Sequence, residues 1–120
     1  ALLERLATIP GLDLDAALLM MRGKVRKFSR LLSLFADGHE HDVARLNQLM
    51  TAGDWAAIET LAHTLKGSAG NMRASAISKT AAALVTALRS KAEADEIERL
   101  HTALAAELTR LIDGIRAALP

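Results

Sequence analysis

The stretch that decides the fold covers residues 61–71 and reads LAHTLKGSAGN. On a helix of about 3.6 residues per turn, the apolar side chains in and around it fall on one continuous stripe. The stripe consists of Ile58, Leu61, Ala62, Leu65, Ala69 and Met72. His63 lies two residues from both Leu61 and Leu65, so it points away from this stripe. The pattern therefore predicts an amphipathic helix that buries its leucines and exposes a histidine.

The exposed face of this helix carries an unusual set of residues. Lys66 and Gly67 follow His63 by three and four positions, and Gly70 follows it by seven, which places all of them on the side of the histidine. A glycine inside a helix costs about 1 kcal/mol relative to alanine. Two such glycines beside an exposed imidazole indicate that something must approach the ring closely.

Composition extends the helical prediction to the whole chain. Of its 120 residues, 51% are hydrophobic but only 2% are aromatic, which is typical of packed helices rich in alanine and leucine. The two prolines are Pro10 and Pro120, so nothing between them prevents long helices. No segment of useful length alternates with period two. We expect a single domain over residues 1–120, an all-α antiparallel four-helix bundle with one or two short additional N-terminal helices.

Capping residues predict where the helices begin and end. Gly53 is expected to close one helix and Asp54 to cap the next, which runs from Trp55 to about Met72. The other predicted signals are Asp13 or Asp15 as the cap of a short helix ending near Met21, Gly38 as a C-terminal cap, Ser75 as an N-cap, and Asp95 with Glu98 as a capping box.

Several function classes are disfavoured. Cysteine is absent, the formal net charge is +1, and the basic residues are scattered with few aromatics, which argues against nucleic-acid binding. No stretch approaches the roughly 20 apolar residues of a membrane span, and no signal peptide is recognised. We therefore expect no direct membrane contact and a cytoplasmic location. His39 and His41 lack a third metal ligand and are interpreted as a solvated pair, and His101 as a surface or boundary residue.

His63 and its neighbours suit phosphoryl chemistry. A neutral imidazole is a good nucleophile near pH 7, Lys66 can neutralise phosphoryl oxygens, and Gly67 and Gly70 leave room for a large donor. Phosphoryl transfer depends mainly on positioning and electrostatics. No P-loop occurs, and no set of carboxylates is placed to hold magnesium. We therefore expect no ATP site, no cofactor of its own and no independent enzymatic activity.

Residues 62–72 resemble the motif of histidine-containing phosphotransfer (HPt) domains, matching nearly every position from the Ala-His pair through Lys-Gly to Asn71 and Met72. The likeness extends to Pro10–Asp13, the helix around Phe35, and Ala52–Trp55.

The resemblance implies that His63 is the phosphoacceptor, through the ring nitrogen more remote from the backbone, that Lys66 contacts the phosphoryl oxygens, and that Gly67 gives steric access. Ser68 and Asn71 also match the motif, with either a structural or a direct role. The implied partners are receiver domains, which carry a phosphorylated aspartate and magnesium. The domain would relay phosphate between receivers as a monomer. Such domains are commonly found at the end of a hybrid sensor kinase. That context would place this one at the cytoplasmic end of a membrane-anchored protein.

Two departures from the family pattern stand out. Arg73 occupies a position that is usually glycine, and the following helix offers Lys79, Thr86 and Arg89 where many members place a glutamine facing the histidine. Exposed apolar residues near the histidine are the candidates for partner docking, and these are Leu31, Leu34 and Met72.

Three alternatives remain open. The first is the phosphoacceptor domain of a chemotaxis-type kinase, which more often has other residues at Ser68 and Asn71–Met72. The second is the dimerising helix pair of a sensor kinase, whose motif typically continues to a proline that is absent here. The third is a degenerate bundle that serves only as an interaction module.

Overall fold

The computed structural model describes all 120 residues and contains seven α-helices and no strand. The helices are α1 (Leu2–Leu6), α2 (Leu14–Met20), α3 (Val25–His39), α4 (Asp42–Ala52), α5 (Trp55–Asn71), α6 (Ser75–Arg89) and α7 (Ala94–Ala118). The all-α prediction is confirmed. None of the helices combines the length and apolar content that crossing a membrane would need.

Four helices close a ring around the core. Helix α5 packs on α6, α6 packs on α7, and α4 contacts both α5 and α7. Contacts across α5 and α6 pair Lys66 with Ser78 and Glu59 with Arg89, so the two helices run antiparallel. Helix α3 packs on α7, and the short helices α1 and α2 lie against α3. The structure thus has the predicted helical bundle with two short helices at its N-terminal end, and differs from the prediction in one further helix, the 15-residue α3, which packs on α7 beside the ring of four.

The core is one cluster of buried apolar side chains to which all seven helices contribute. Most of its members are leucine, isoleucine or alanine, and its largest side chain is Phe28. Helix α5 contributes Ile58, Ala62, Leu65 and Ala69, all of which are fully buried. Because these residues recur every three or four positions, burying them sets the rotation of α5 about its axis. The opposite face, with His63, is left towards solvent.

The predicted caps at the start of α2 and α5 are confirmed. The Asp13 carboxylate accepts a hydrogen bond from the backbone N–H of Ala16, and Asp54 accepts one from Ala57. Gly53 ends α4 with φ of 68° in the left-handed region, where glycine is favoured because it has no Cβ.

Three boundary predictions were wrong in detail. Gly38 lies inside α3, which continues to His39, because the His39 ring pairs with Asp42 at the start of α4 and supports the last turn. The N-cap of α6 is Ala74 rather than Ser75, and α7 begins after Glu93, so Asp95 lies within its first turn instead of forming a capping box. Aspartate is favourable there through the positive end of the helix dipole.

The interpretation of His101 was also wrong. Its side chain is buried within α7 at 6% exposure, and it is the one polar residue in the core. The ring nitrogen Nε2 has no hydrogen-bond partner. His101 follows Ile97 by four residues and precedes Leu104 by three, so its spacing places it on the apolar stripe of α7 and was the signal for its burial.

Candidate functional site

The exposed imidazole of His63 projects from the middle of the 17-residue helix α5. No protein group donates to it or accepts from it, and no carboxylate forms an ion pair with it. Both ring nitrogens are therefore available to an incoming molecule. An unpartnered, solvent-facing imidazole can act as a nucleophile when neutral.

Lys66 follows His63 by one helical turn and is half-buried. Its backbone carbonyl accepts a hydrogen bond from Ser78 Oγ at 3.1 Å, which ties this turn of α5 to α6. Its ammonium group forms no ion pair with any carboxylate. The ion pairs of the molecule are made by histidines and arginines only. The cation beside His63 is therefore uncompensated and free to meet an anionic group.

The two glycines of α5 differ in their surroundings. A Cβ built on Gly67 would meet no atom within 4 Å, so this position opens onto solvent beside the histidine. A Cβ built on Gly70 would lie 3.3 Å from Ser78 Oγ, so Gly70 allows close packing of α5 on α6. The expectation that both glycines give access to the ring therefore fits the geometry of Gly67, whereas Gly70 faces the neighbouring helix.

Arg73 ends the helix in a conformation that suits glycine better. Its φ is 59°, in the left-handed region where a Cβ is disfavoured by about 1–2 kcal/mol. Its carbonyl accepts a hydrogen bond from the backbone N–H of Asp13 at 2.9 Å, which joins the start of α2 to the turn between α5 and α6. The left-handed backbone at Arg73 therefore explains why the family pattern has glycine at this position. Arg22 and Lys91 adopt the same conformation after α2 and α6.

No side chain of α6 supports the imidazole. Lys79 and Thr86 are exposed, and neither side chain makes a hydrogen bond within the protein. Arg89 instead donates from Nε to Glu59 Oε2 at 3.0 Å. Glu59 precedes His63 by four residues and lies on the same face of α5. Sequence reasoning overlooked this ion pair, because spacing in the chain does not show which residues of α6 lie opposite α5.

A shallow groove of about 270 Å³ lies between α3 and the C-terminal part of α5. It brings together the three predicted docking residues, since Leu31, Leu34 and Met72 all line it. The other lining residues are Phe35, Gly38, His39, Ser68 and Asn71. Leu34 is 59% exposed and gives the groove an apolar rim. Ser68 lies about 7.5 Å along the helix axis from His63 and, at about 100° per residue, roughly 140° around it, so the groove opens on a different side of α5 from the histidine.

His39 differs from its predicted state as a solvated residue. Its Nδ1 lies 2.6 Å from Asp42 Oδ2, its ring centroid is 4.5 Å from that of Phe35, and its side chain is largely buried. His41 is exposed, in line with the prediction. No three His, Cys, Asp or Glu side chains come together in a way that could hold a metal ion.

Comparison with known proteins gave one match. A family model described as Hpt domain matches residues 30–118, which cover α4 to α7 and most of α3. No curated protein and no solved structure gave a significant match.

Proposed function

This chain belongs to the Hpt domain family, whose members have a histidine phosphotransfer role in phosphorelays and interact with receiver domains, and on that premise we propose that it carries a phosphoryl group on His63. The group comes from the aspartyl phosphate of one receiver domain and passes to the aspartate of another. The observation that carries the assignment is the exposed, unpartnered imidazole of His63 in the centre of the matched region.

In the proposed step the lone pair of His63 Nε2 attacks the phosphorus atom of the receiver's aspartyl phosphate. The N–P bond forms as the P–O bond to the aspartate breaks, and the electron pair of that bond leaves with the carboxylate. The reverse sequence delivers the phosphoryl group to the next receiver. Magnesium belongs to the receiver, and the domain acts without an ATP site or cofactor of its own. Catalysis here consists of positioning and charge compensation.

Lys66 is proposed to compensate charge during this step. The phosphoryl group brings about two negative charges to an exposed helix face, and the ammonium group of Lys66 has no carboxylate partner of its own. Gly67 is proposed to let the receiver approach, since open space surrounds the position of its missing side chain. Both roles follow from residues within one turn of His63.

The groove between α3 and α5 is proposed as the docking surface for the receiver. It offers exposed apolar area at Leu34 together with polar groups at Ser68 and Asn71. A mixed surface of this kind is typical of transient protein interfaces, in which an apolar centre is surrounded by polar contacts. The proposed complex contains one copy of this chain and one receiver in the cytoplasm.

The test is phosphoryl transfer from a panel of phosphorylated receiver domains to the wild type and to His63→Gln. An acid-labile, alkali-stable label on the wild type and none on the variant is expected. His41→Gln is the matched control, because it removes another exposed histidine and should leave labelling unchanged. Equal labelling of His63→Gln and wild type would refute the site assignment. No label on the wild type from any receiver would favour an interaction module that has lost phosphotransfer.

A further inference from the structure

The ion pair between Arg89 and Glu59 lies beside the proposed phosphoacceptor and has no part in the function derived so far. Glu59 precedes His63 by one turn on the same face of α5, as Lys66 follows it by one turn. The pair joins α6 to α5 through a hydrogen bond of 3.0 Å between Nε and Oε2. The acceptor histidine thus has a cation on one side along the helix and a carboxylate on the other.

A carboxylate at this position opposes phosphorylation of His63. Residues four apart on a helix have Cβ atoms about 5–6 Å apart, so a phosphoryl group on the imidazole would carry its negative charges within the range where electrostatic repulsion is significant. Side chains one helical turn apart can bring their charged ends to a separation comparable to the Debye length, which is about 8 Å at physiological ionic strength. Salt alone would therefore screen the repulsion only in part.

We propose that Arg89 is a positioning residue for phosphotransfer, which neutralises Glu59 and so makes the face around His63 able to accept a phosphoryl group. This inference rests on the proposed function of His63. Arg89 acts through Glu59 and need not touch the phosphoryl group. The guanidinium group suits this role because it stays protonated at every physiological pH and binds a carboxylate through directed N–H donors.

Stability is a poor explanation for the pair. The Arg89 side chain is 61% exposed and that of Glu59 is 32% exposed, and ion pairs at such surfaces contribute little to folding. Loss of Arg89 is thus expected to leave the thermal transition nearly unchanged. The effect should appear in the rate at which His63 is labelled. If Arg89 only joined α5 to α6, its loss would lower stability as well as change that rate.

The experiment uses phosphoramidate, a small anionic phosphoryl donor that needs no docking surface, and follows labelling of His63 by mass spectrometry of peptides. Arg89→Ala is expected to label His63 about fivefold more slowly than wild type at low ionic strength, with the difference shrinking as salt is added. The double variant Glu59→Gln, Arg89→Ala is expected to recover the wild-type rate within about twofold, because it removes the carboxylate as well.

Two other residues of the chain, His41 and Arg99, provide controls. His41 reports, in the same reaction, on donor concentration and pH, because it is exposed and lies outside the ion pair of α5 and α6. Arg99→Ala removes the arginine of another exposed pair, that with Glu96 on α7, and should label His63 at the wild-type rate. Equal rates for Arg89→Ala and wild type, or a double variant as slow as Arg89→Ala, would overturn the proposal. Wild-type labelling by phosphoramidate but by no receiver would instead count against the proposed relay function.

Discussion

Substitution of Gly67 by alanine should separate the stability of this domain from its function. Gly67 lies inside α5, and a Cβ at this position would meet no atom within 4 Å. Alanine is better than glycine in a helix interior by about 1 kcal/mol. With no clash to offset that gain, Gly67→Ala should raise the free energy of unfolding by nearly this amount. For a chain of 120 residues this corresponds to an increase in Tm of about 3–6 °C.

The same methyl group should slow transfer from a receiver. Gly67 lies one turn from His63, so its Cβ would lie about 5–6 Å from that of the histidine, on the surface that the receiver must approach. If the partner packs closely there, an added methyl group costs about 1–3 kcal/mol, and a cost of about 1.4 kcal/mol is a tenfold slower transfer. Gly67→Gln should reduce transfer further, because its side chain is longer.

The assay combines thermal unfolding with two measurements of labelling. Transfer from a phosphorylated receiver should fall about tenfold in Gly67→Ala, while labelling of His63 by phosphoramidate should stay within about twofold of wild type, since a small donor passes a methyl group. Wild-type transfer from the receiver in a variant with raised Tm would refute the steric role of Gly67. A lowered Tm would refute the conclusion that the position opens onto solvent.

Three further predictions address neighbouring features. Lys66→Ala should slow transfer from a receiver about tenfold in rapid-mixing experiments, because a single charge–charge contact in the transition state is lost. The Kd for the receiver should stay within about twofold of wild type. A Kd that rises as much as the rate falls would contradict this role of Lys66. Gly114→Ala should lower the free energy of unfolding in urea by about 1–3 kcal/mol, because its Cβ would lie 2.6 Å from Pro10 Cδ; the change should be much smaller in a Pro10→Ala background. Arg73→Gly should raise Tm by a few degrees, since it relieves about 1–2 kcal/mol of left-handed strain at φ of 59°, of which the larger entropy of glycine in the unfolded chain offsets a part. An unchanged or lower Tm would show that contacts of the arginine side chain compensate for its backbone.

The helices and the exposure of His63 could be predicted because they depend on local and periodic information. The stripe of α5 buries Leu65 fully and leaves His63 exposed, as the spacing requires. The caps at Asp13 and Asp54 depend on a side chain and a backbone N–H three residues apart, which short-range reasoning captures. The prediction at Gly38 was wrong because the last turn of α3 is supported by contacts of His39 beyond the helix.

In the candidate site, too, features within one helix could be predicted, whereas features that join two helices could not. His63, Lys66 and Gly67 share one face because Lys66 and Gly67 follow His63 by three and four residues on one helix. The groove brings Leu31 of α3 together with Met72 at the end of α5, and their proximity depends on how the bundle is assembled, which spacing along one helix does not show.

The sequence by itself determined an all-α chain, the starts of α2 and α5, the end of α4, and an exposed histidine followed by a lysine and a glycine, because helical periodicity and capping act over a few residues. Only the tertiary structure decided that Arg89 pairs with Glu59, that Nε2 of His101 finds no hydrogen-bond partner, and that Gly70 faces Ser78 while Gly67 faces solvent. These outcomes depend on which residues of separate helices come to lie opposite each other. That register is set by the packing of the whole core and cannot be read from spacing along any one helix.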